Sequence, residues 1–136
     1  VIQLLVNAYG LNSNLLLNVG PMPNGEIQKE FTDTLLAAGK WLQQYGSSIY
    51  NTRGKIMPPQ SWGVATRNGK KIFVHVLQQP QVAFILLPGF SETISSVEIM
   101  NTGKKLKWSK VPEGIFIYHE YPSQEAVDHV IQVSVK

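Results

Sequence analysis

No cysteine occurs in the 136 residues, which rules out disulfides, thiol nucleophiles and cysteine-ligated zinc. Compartment stays open on that ground, because many secreted proteins also lack cysteine. Charge is sparse. Charged residues make up 15% of the chain against about 25% in an average protein, which fits a chain with much of its surface buried against something else. Long apolar runs are missing too. None approaches the roughly 20 residues that a membrane span needs, so no membrane partner is expected. The excess of basic residues amounts to a net charge of +3 and forms no patch. Its densest run, Lys104-Lys105-Leu106-Lys107, is split by leucine at strand spacing and reads as a solvated strand face, so no nucleic-acid partner is expected. What is present is a 43% hydrophobic content, sufficient for a packed core and contrary to disorder. The length allows one medium domain or two small ones.

The pattern changes near residue 55. Before it, Val1–Tyr9 spaces apolar residues as the last turns of an amphipathic helix, with Gly10 as its stop. The opening at Val1, inside an apolar segment, suggests a longer protein. Asn14–Gly20 surrounds Asn18 with Leu15, Leu16, Leu17 and Val19, and two turn clusters, Gly20-Pro21 and Pro23-Asn24-Gly25, end it. It suits a short strand covered on both faces. Ile27, Phe31, Leu35, Ala38, Leu42 and Tyr45 then recur at steps of three and four, which predicts a helix over 28–45 with Gly46 just past its end.

Gly54–Gln60, with Pro58-Pro59, reads as an extended linker over 55–60. Beyond it helical spacing gives way to six to eight short strands: 62–67 and 71–77 around a type I′ turn at Asn68-Gly69, then 82–87, 93–100, 105–108, 115–119 and 129–135. Tyr121–Asp128 reads as a loop. This spacing implies an antiparallel β-sandwich. Trp108 is expected in its core, Trp62 at the junction with the first part, and Tyr118 and Tyr121 as the exposed rings. Arg53 is placed either as a bidentate partner of a carboxylate or as a solvated residue.

NLLLNVGPMPNG, a long helix and GSSIYNTR resemble the end of the catalytic domain in α-L-fucosidases of glycoside hydrolase family 29. The resemblance rests on Asn14–Pro21, Asn24-Gly25 and Gly46–Arg53, with Ser61-Trp62-Gly63 similar to the opening of that family's final domain. Tyr9–Ser13 departs from the family's usual loop. The resemblance implies an α+β fragment: residues 1–54 as the last helix–strand–helix of a (β/α)8-like barrel, 55–60 as a linker, and 61–136 as a C-terminal β-sandwich. It implies a parent enzyme that hydrolyses terminal α-L-fucose from fucosylated glycans with retention, without metal or organic cofactor, in a secreted, periplasmic or lysosomal setting. The family's aspartate nucleophile and glutamate acid/base lie upstream of the matching region. The chain alone is therefore expected to be inactive and to need the upstream barrel portion as partner; without it, the exposed apolar face is expected to self-associate or to pack on the sandwich. A noncatalytic carbohydrate-binding or structural module of a barrel hydrolase with another substrate is the alternative.

The residues agree with that absence. Glu26, Glu30 and Asp33 suit a helix start, and Glu92, Glu98, Glu113, Glu120, Glu125 and Asp128 fall on strands or turns without a paired arrangement. His75, His119 and His129 lack metal-ligand spacing. Asn18 is the one candidate substrate contact. Alternation along a strand places it with Leu16 toward a barrel interior, at the strand end where barrel active sites gather. It either lines the pocket floor or ties the strand end to a loop backbone.

Overall fold

The computed structural model describes residues 1–120 and 126–136. Two helices, α1 (Ile2–Gly10) and α2 (Lys29–Tyr45), precede seven strands: β1 (Gly63–Asn68), β2 (Lys71–Val76), β3 (Phe84–Pro88), β4 (Ile94–Ile99), β5 (Lys107–Val111), β6 (Gly114–Tyr118) and β7 (His129–Val135). The strands pair antiparallel in two sheets, ordered β1-β2-β7-β4 and β3-β6-β5. The protein is thus an α+β fold of two helices and antiparallel sheets.

Alternation places the core. Ile72, Val74 and Val76 of β2 join Ile85 and Leu87 of β3 and Ile115 and Ile117 of β6 in one apolar cluster between the sheets. The opposite face of the four-stranded sheet carries Val64, which packs with Val6, Ile49 and the half-buried Ile2, Tyr9, Trp41 and Leu42. The layers therefore run helices, four-stranded sheet, three-stranded sheet. Side-chain period two lets one strand serve both interfaces.

Helix α1 turns the side of Ile2, Val6 and Tyr9 to β1. Its end differs from the expected glycine stop. Asn12 takes the left-handed conformation at φ 57, and Asn12 N and Ser13 N donate to the carbonyls of Tyr9 and Ala8 at 2.9 and 2.8 Å. This is a Schellman closure with asparagine at the left-handed position. Gly10 remains helical and serves close packing instead: a Cβ there would lie 2.4 Å from Val64 Cβ. Gly46 likewise stays right-handed and opens a short 3-10 turn, Gly46–Ser48.

Residues 14–20 are not a strand. They belong to neither sheet, and Leu16 is 85% exposed, while Leu15 and Val19 are half-buried. An apolar segment becomes a strand only where a neighbour supplies backbone partners, and none of the seven strands among the described residues lies beside it. The first hairpin differs by one residue. Asn68 pairs with Lys71, so Gly69-Lys70 forms the turn. Gly69 has φ 57, and Lys70 is not among the positive-φ residues, the sign pattern of a II′ turn rather than I′.

Segment 54–60 is fastened at several points. Arg53 and Arg67 exchange backbone hydrogen bonds of 2.8 Å, and Lys55 N donates to Gly10 O at 2.8 Å. Met57 and Trp62 enter the core between the sheets. Trp108 does not: it pairs with Ile117 on edge strand β5 and remains 38% exposed, because an edge strand has a neighbour on one side only.

Candidate functional site

Asn18, the residue placed at a barrel mouth by the sequence, is exposed on the irregular segment 14–20. It lines neither of the two clefts described below. The carboxylates with side-chain partners face cations, a histidine or an amide. Lys29 Nζ bonds Asp33 at 2.5 Å, and Lys105 pairs with Glu98, which also accepts from Gln132 at 3.1 Å. The bidentate contact considered for Arg53 belongs to Arg67, whose two terminal nitrogens meet Glu92 at 2.6 and 2.8 Å. That pair holds Glu92 below the ordinary glutamate value, first through the hydrogen bonds from Arg67. Glu125 and Tyr121 lie outside the described residues. Among the described residues no group of three metal-binding side chains assembles, and no helix is long and apolar enough to cross a membrane.

The most ordered polar constellation is one that spacing did not reveal. Val64 pairs with His75 across the first hairpin, so His75 and Thr66 share the face turned to the helices. Thr66 Oγ1 donates to Ser48 O at 2.6 Å and lies 3.4 Å from His75 Nε2. His75 Nδ1 is 2.7 Å from Asp128 Oδ2. Hydroxyl, imidazole and carboxylate in line are the parts of an acyl-transfer triad. Two observations remove that reading. Both His75 and Asp128 side chains are wholly buried, so no substrate reaches them, and the hydroxyl proton is already given to a carbonyl. The line ties the helical layer, through Ser48, to β1, β2 and the segment entering β7.

Asp128 also reaches outward electrically. Tyr45 is raised above the ordinary tyrosine value, first by burial and then by the Asp128 charge. His119 and His129 stand edge to face, with ring centroids 6.1 Å apart. Burial lowers His119, and His129 and Lys104 lower it further against Glu120. Burial lowers His129, with Asp128 opposing. Rings held neutral in the fold take up protons on unfolding once the pH is below about 6.5. Their contribution to stability is present above that value and is lost as pH falls toward the lowered folded values. The denaturation midpoint is therefore expected to drop between pH 7.5 and 5. His119→Gln with His129→Gln should flatten that drop, and parallel curves would refute the assignment.

Among the described residues, two concavities stand out. A cleft of about 810 Å³ lies between the start of α1, residues 34–38 of α2 and the end of β2, bordered by Gln3, Thr34, Leu77, Gln79, Val127 and His129. A smaller one, about 240 Å³, sits beneath the Arg67–Glu92 pair and Phe90. A larger exposed feature is apolar: Leu16, Leu17, Ile27, Phe31, Leu35 and Leu36 are all open to solvent.

Residues 1–47 match the family model for α-L-fucosidase. Tissue α-L-fucosidase of Bos taurus is 32% identical over 116 residues, covering 84% of this chain and 25% of the bovine protein. Among solved structures, α-L-fucosidase isoenzyme 1 from Paenibacillus thiaminolyticus matches with TM-score 0.86 and 25% identity, over 99% of this chain and 34% of that one. A family 29 α-L-fucosidase from Bacteroides thetaiotaomicron, solved as a trapped covalent intermediate with 2-fluoro-fucosyl fluoride, matches with TM-score 0.85 and 23% identity, over 99% of this chain and 31% of that one. The chain spans about a quarter of the curated relative's length and about a third of each solved chain.

Proposed function

This chain belongs to the α-L-fucosidases, as a C-terminal part of such a glycoside hydrolase, and on that premise we propose that it completes an enzyme releasing terminal α-L-fucose from glycans with retention of configuration. In this reading residues 1–54 close a (β/α)8-like barrel, 55–60 link, and 61–136 form an accessory β-sandwich that braces the barrel's last unit. The observation that carries it is the uncovered apolar face. Leu16 and Leu36 are 85% and 60% exposed, and burying such a side chain is worth about 1.5–3 kcal/mol. The remaining barrel segments are the partner that covers them. Residues 14–20 then gain the strand neighbours they lack here.

Retaining hydrolysis uses two carboxylates about 5–5.5 Å apart and a covalent glycosyl intermediate. The covalent species of the Bacteroides neighbour supports that route. The nucleophile and acid/base belong to the part of the enzyme outside this chain, and the chemistry calls for no metal or organic cofactor. Within the chain, Asn18 is assigned to the pocket floor, where its amide orients substrate or a catalytic neighbour.

The enzyme carrying this chain is expected to hydrolyse an aryl α-L-fucoside, with α-L-fucose as the first product seen by NMR, while the 136 residues alone show no turnover and sediment as concentration-dependent assemblies. Turnover by the chain alone, or the β-anomer appearing first, would refute the reading. In the enzyme, Asn18→Ala should lower kcat/KM about twofold to tenfold, the range of one lost hydrogen bond. Unchanged kinetics would remove Asn18 from the pocket.

A further inference from the structure

The outer face of the three-stranded sheet carries a second apolar surface, set apart from the first. Its residues follow from the pairing. Phe84, Tyr118 and Lys107 form one row across β3, β6 and β5, Leu86, Phe116 and Ser109 the next, and Pro88, Gly114 and Val111 the third. Their neighbours Ile85, Leu87, Ile115 and Ile117 point the other way, into the core, so the nine residues face outward together. Phe84 meets Phe116 edge-on at 5.2 Å and Tyr118 at 6.3 Å. Phe84 and Tyr118 remain 39% and 44% exposed.

Partly exposed rings grouped on one sheet face offer an amphipathic contact surface, with an apolar body and, at Tyr118, a polar tip. It is not the surface that the partner of Leu16 and Leu36 covers. The helices pack on the far face of the four-stranded sheet, so both sheets separate the two surfaces.

Size and polarity narrow the occupant. Three strands about 4.8 Å apart, five residues long at about 3.4 Å each, give a face of roughly 14 by 17 Å, about 240 Å². A specific protein interface buries about 800 Å² on each side, so the face is too small for a stable dimer. It is also not wholly apolar. Ser109 Oγ and Tyr118 Oη lie 3.1 Å apart, a fixed hydroxyl pair beside the rings, and Lys107 stands exposed across from Tyr118. A ligand suited to this surface has an apolar face bordered by hydroxyls. A pyranose has that form: its C–H face lies on an aromatic ring while its edge hydroxyls exchange hydrogen bonds with Ser109, Tyr118 and Lys107.

We propose that the outer face of β3, β6 and β5, centred on Phe84, Phe116 and Tyr118, is a noncatalytic saccharide-binding surface. An open face without a cleft binds weakly, so its use is to hold a polymeric or clustered glycan near the enzyme rather than to select one sugar. The choice of a saccharide rests in part on the reading of the protein as a glycoside hydrolase, and the test separates the two.

The enzyme carrying the chain is run in native gels containing fucosylated xyloglucan, and in gels containing the same polymer after removal of fucose. Retardation in both is expected. Tyr118→Ala and Phe84→Ser should each weaken it at least fivefold, with unchanged thermal midpoints. Tyr50→Ala, which alters an equally open tyrosine (53% exposed) outside the sheets, should leave it unchanged. Hydrolysis of a small aryl α-L-fucoside should be the same in all variants. No retardation of the parent protein, equal retardation of the variants, or a parallel loss of hydrolysis would each overturn the surface. So would variants that change only concentration-dependent sedimentation, which would make the face a contact between copies. Retardation of a protein that hydrolyses nothing would uphold the surface and remove the enzyme reading alone.

Discussion

His75→Ala is expected to lower the free energy of unfolding by about 1–3 kcal/mol, the range for leaving a buried hydrogen-bonding group without its partner. The ring is wholly buried, as is the Asp128 carboxylate it meets at 2.7 Å. Asp128 Oδ1 has no hydrogen-bond partner among the described residues, so Oδ2 depends on His75. Removing the ring leaves the buried Asp128 side chain without its hydrogen-bond partner among the described residues. Against a net stability of about 5–15 kcal/mol for an ordinary domain, that loss is large. Asp128→Asn keeps an acceptor for the ring and is expected to cost less. The double change His75→Phe with Asp128→Leu removes both polar groups, and its cost should fall well below the sum of the single truncations. Urea denaturation read as a shift in midpoint at constant slope measures all three. A single-variant loss under about 1 kcal/mol would show that the pair is not the strut between the helical layer and the sheet.

That pair also marks the boundary of what the sequence discloses. Histidine and aspartate stand 53 residues apart, and no local period or spacing joins them. Only the packing of β7 beside β2 puts residue 128 under residue 75. The same holds for Arg67 and Glu92. The sequence left Arg53 open between a carboxylate fork and a solvated residue; the fork is made by Arg67, which shares a backbone bridge with Arg53. By contrast, the strands were legible because their signals are local. Alternation and turn residues located all seven within a few positions, and the periodicity of Ile27–Tyr45 located α2.

The apolar segment 14–20 is the instructive departure. Its composition states a burial that the chain itself does not provide. A strand is a relation between segments, so a sequence can carry one partner of the relation without forming the element. For the same reason Asn18 was recognisable as a candidate by its place in the motif, while the pocket it would line depends on residues elsewhere. The glycines misled in a milder way. Gly10 read as a helix stop, yet the left-handed turn is made by Asn12. Glycine at a helix end serves equally to admit a neighbour, and sequence alone does not separate the two uses.

The seam that Gly10 admits supports the second large expectation, Gly54→Ala. The last carbonyls of α1 lie directly on Gly54. A Cβ there would stand 2.1 Å from Tyr9 O and 2.4 Å from Gly10 O. Both obstacles are backbone, and neither can rotate away. The contact is also fixed from both sides by hydrogen bonds, Lys55 N to Gly10 O at 2.8 Å and Gly54 N to Asn12 Oδ1 at 3.3 Å. Gly10 in turn lies on Val64, so α1, residue 54 and β1 form one stack with no slack. A methyl group forces the end of α1 off the sheet, and the orphan carbonyl that Lys55 satisfies loses its donor. The expected cost reaches or exceeds the upper end of the about 1–3 kcal/mol typical of overpacking. Gly39→Ala is the matched control. It lies in α2 with nothing within 4 Å of the added Cβ, and should stabilise by about 0.5–1 kcal/mol through helix propensity alone. Equal midpoints for the two variants would refute the stack. In the complete enzyme the same substitution tests the coupling of layers, because residues 14–20 leave from the end of α1. If the stack positions Asn18, Gly54→Ala should lower kcat/KM by at least as much as Asn18→Ala; intact kinetics in a destabilised protein would confine the seam to stability.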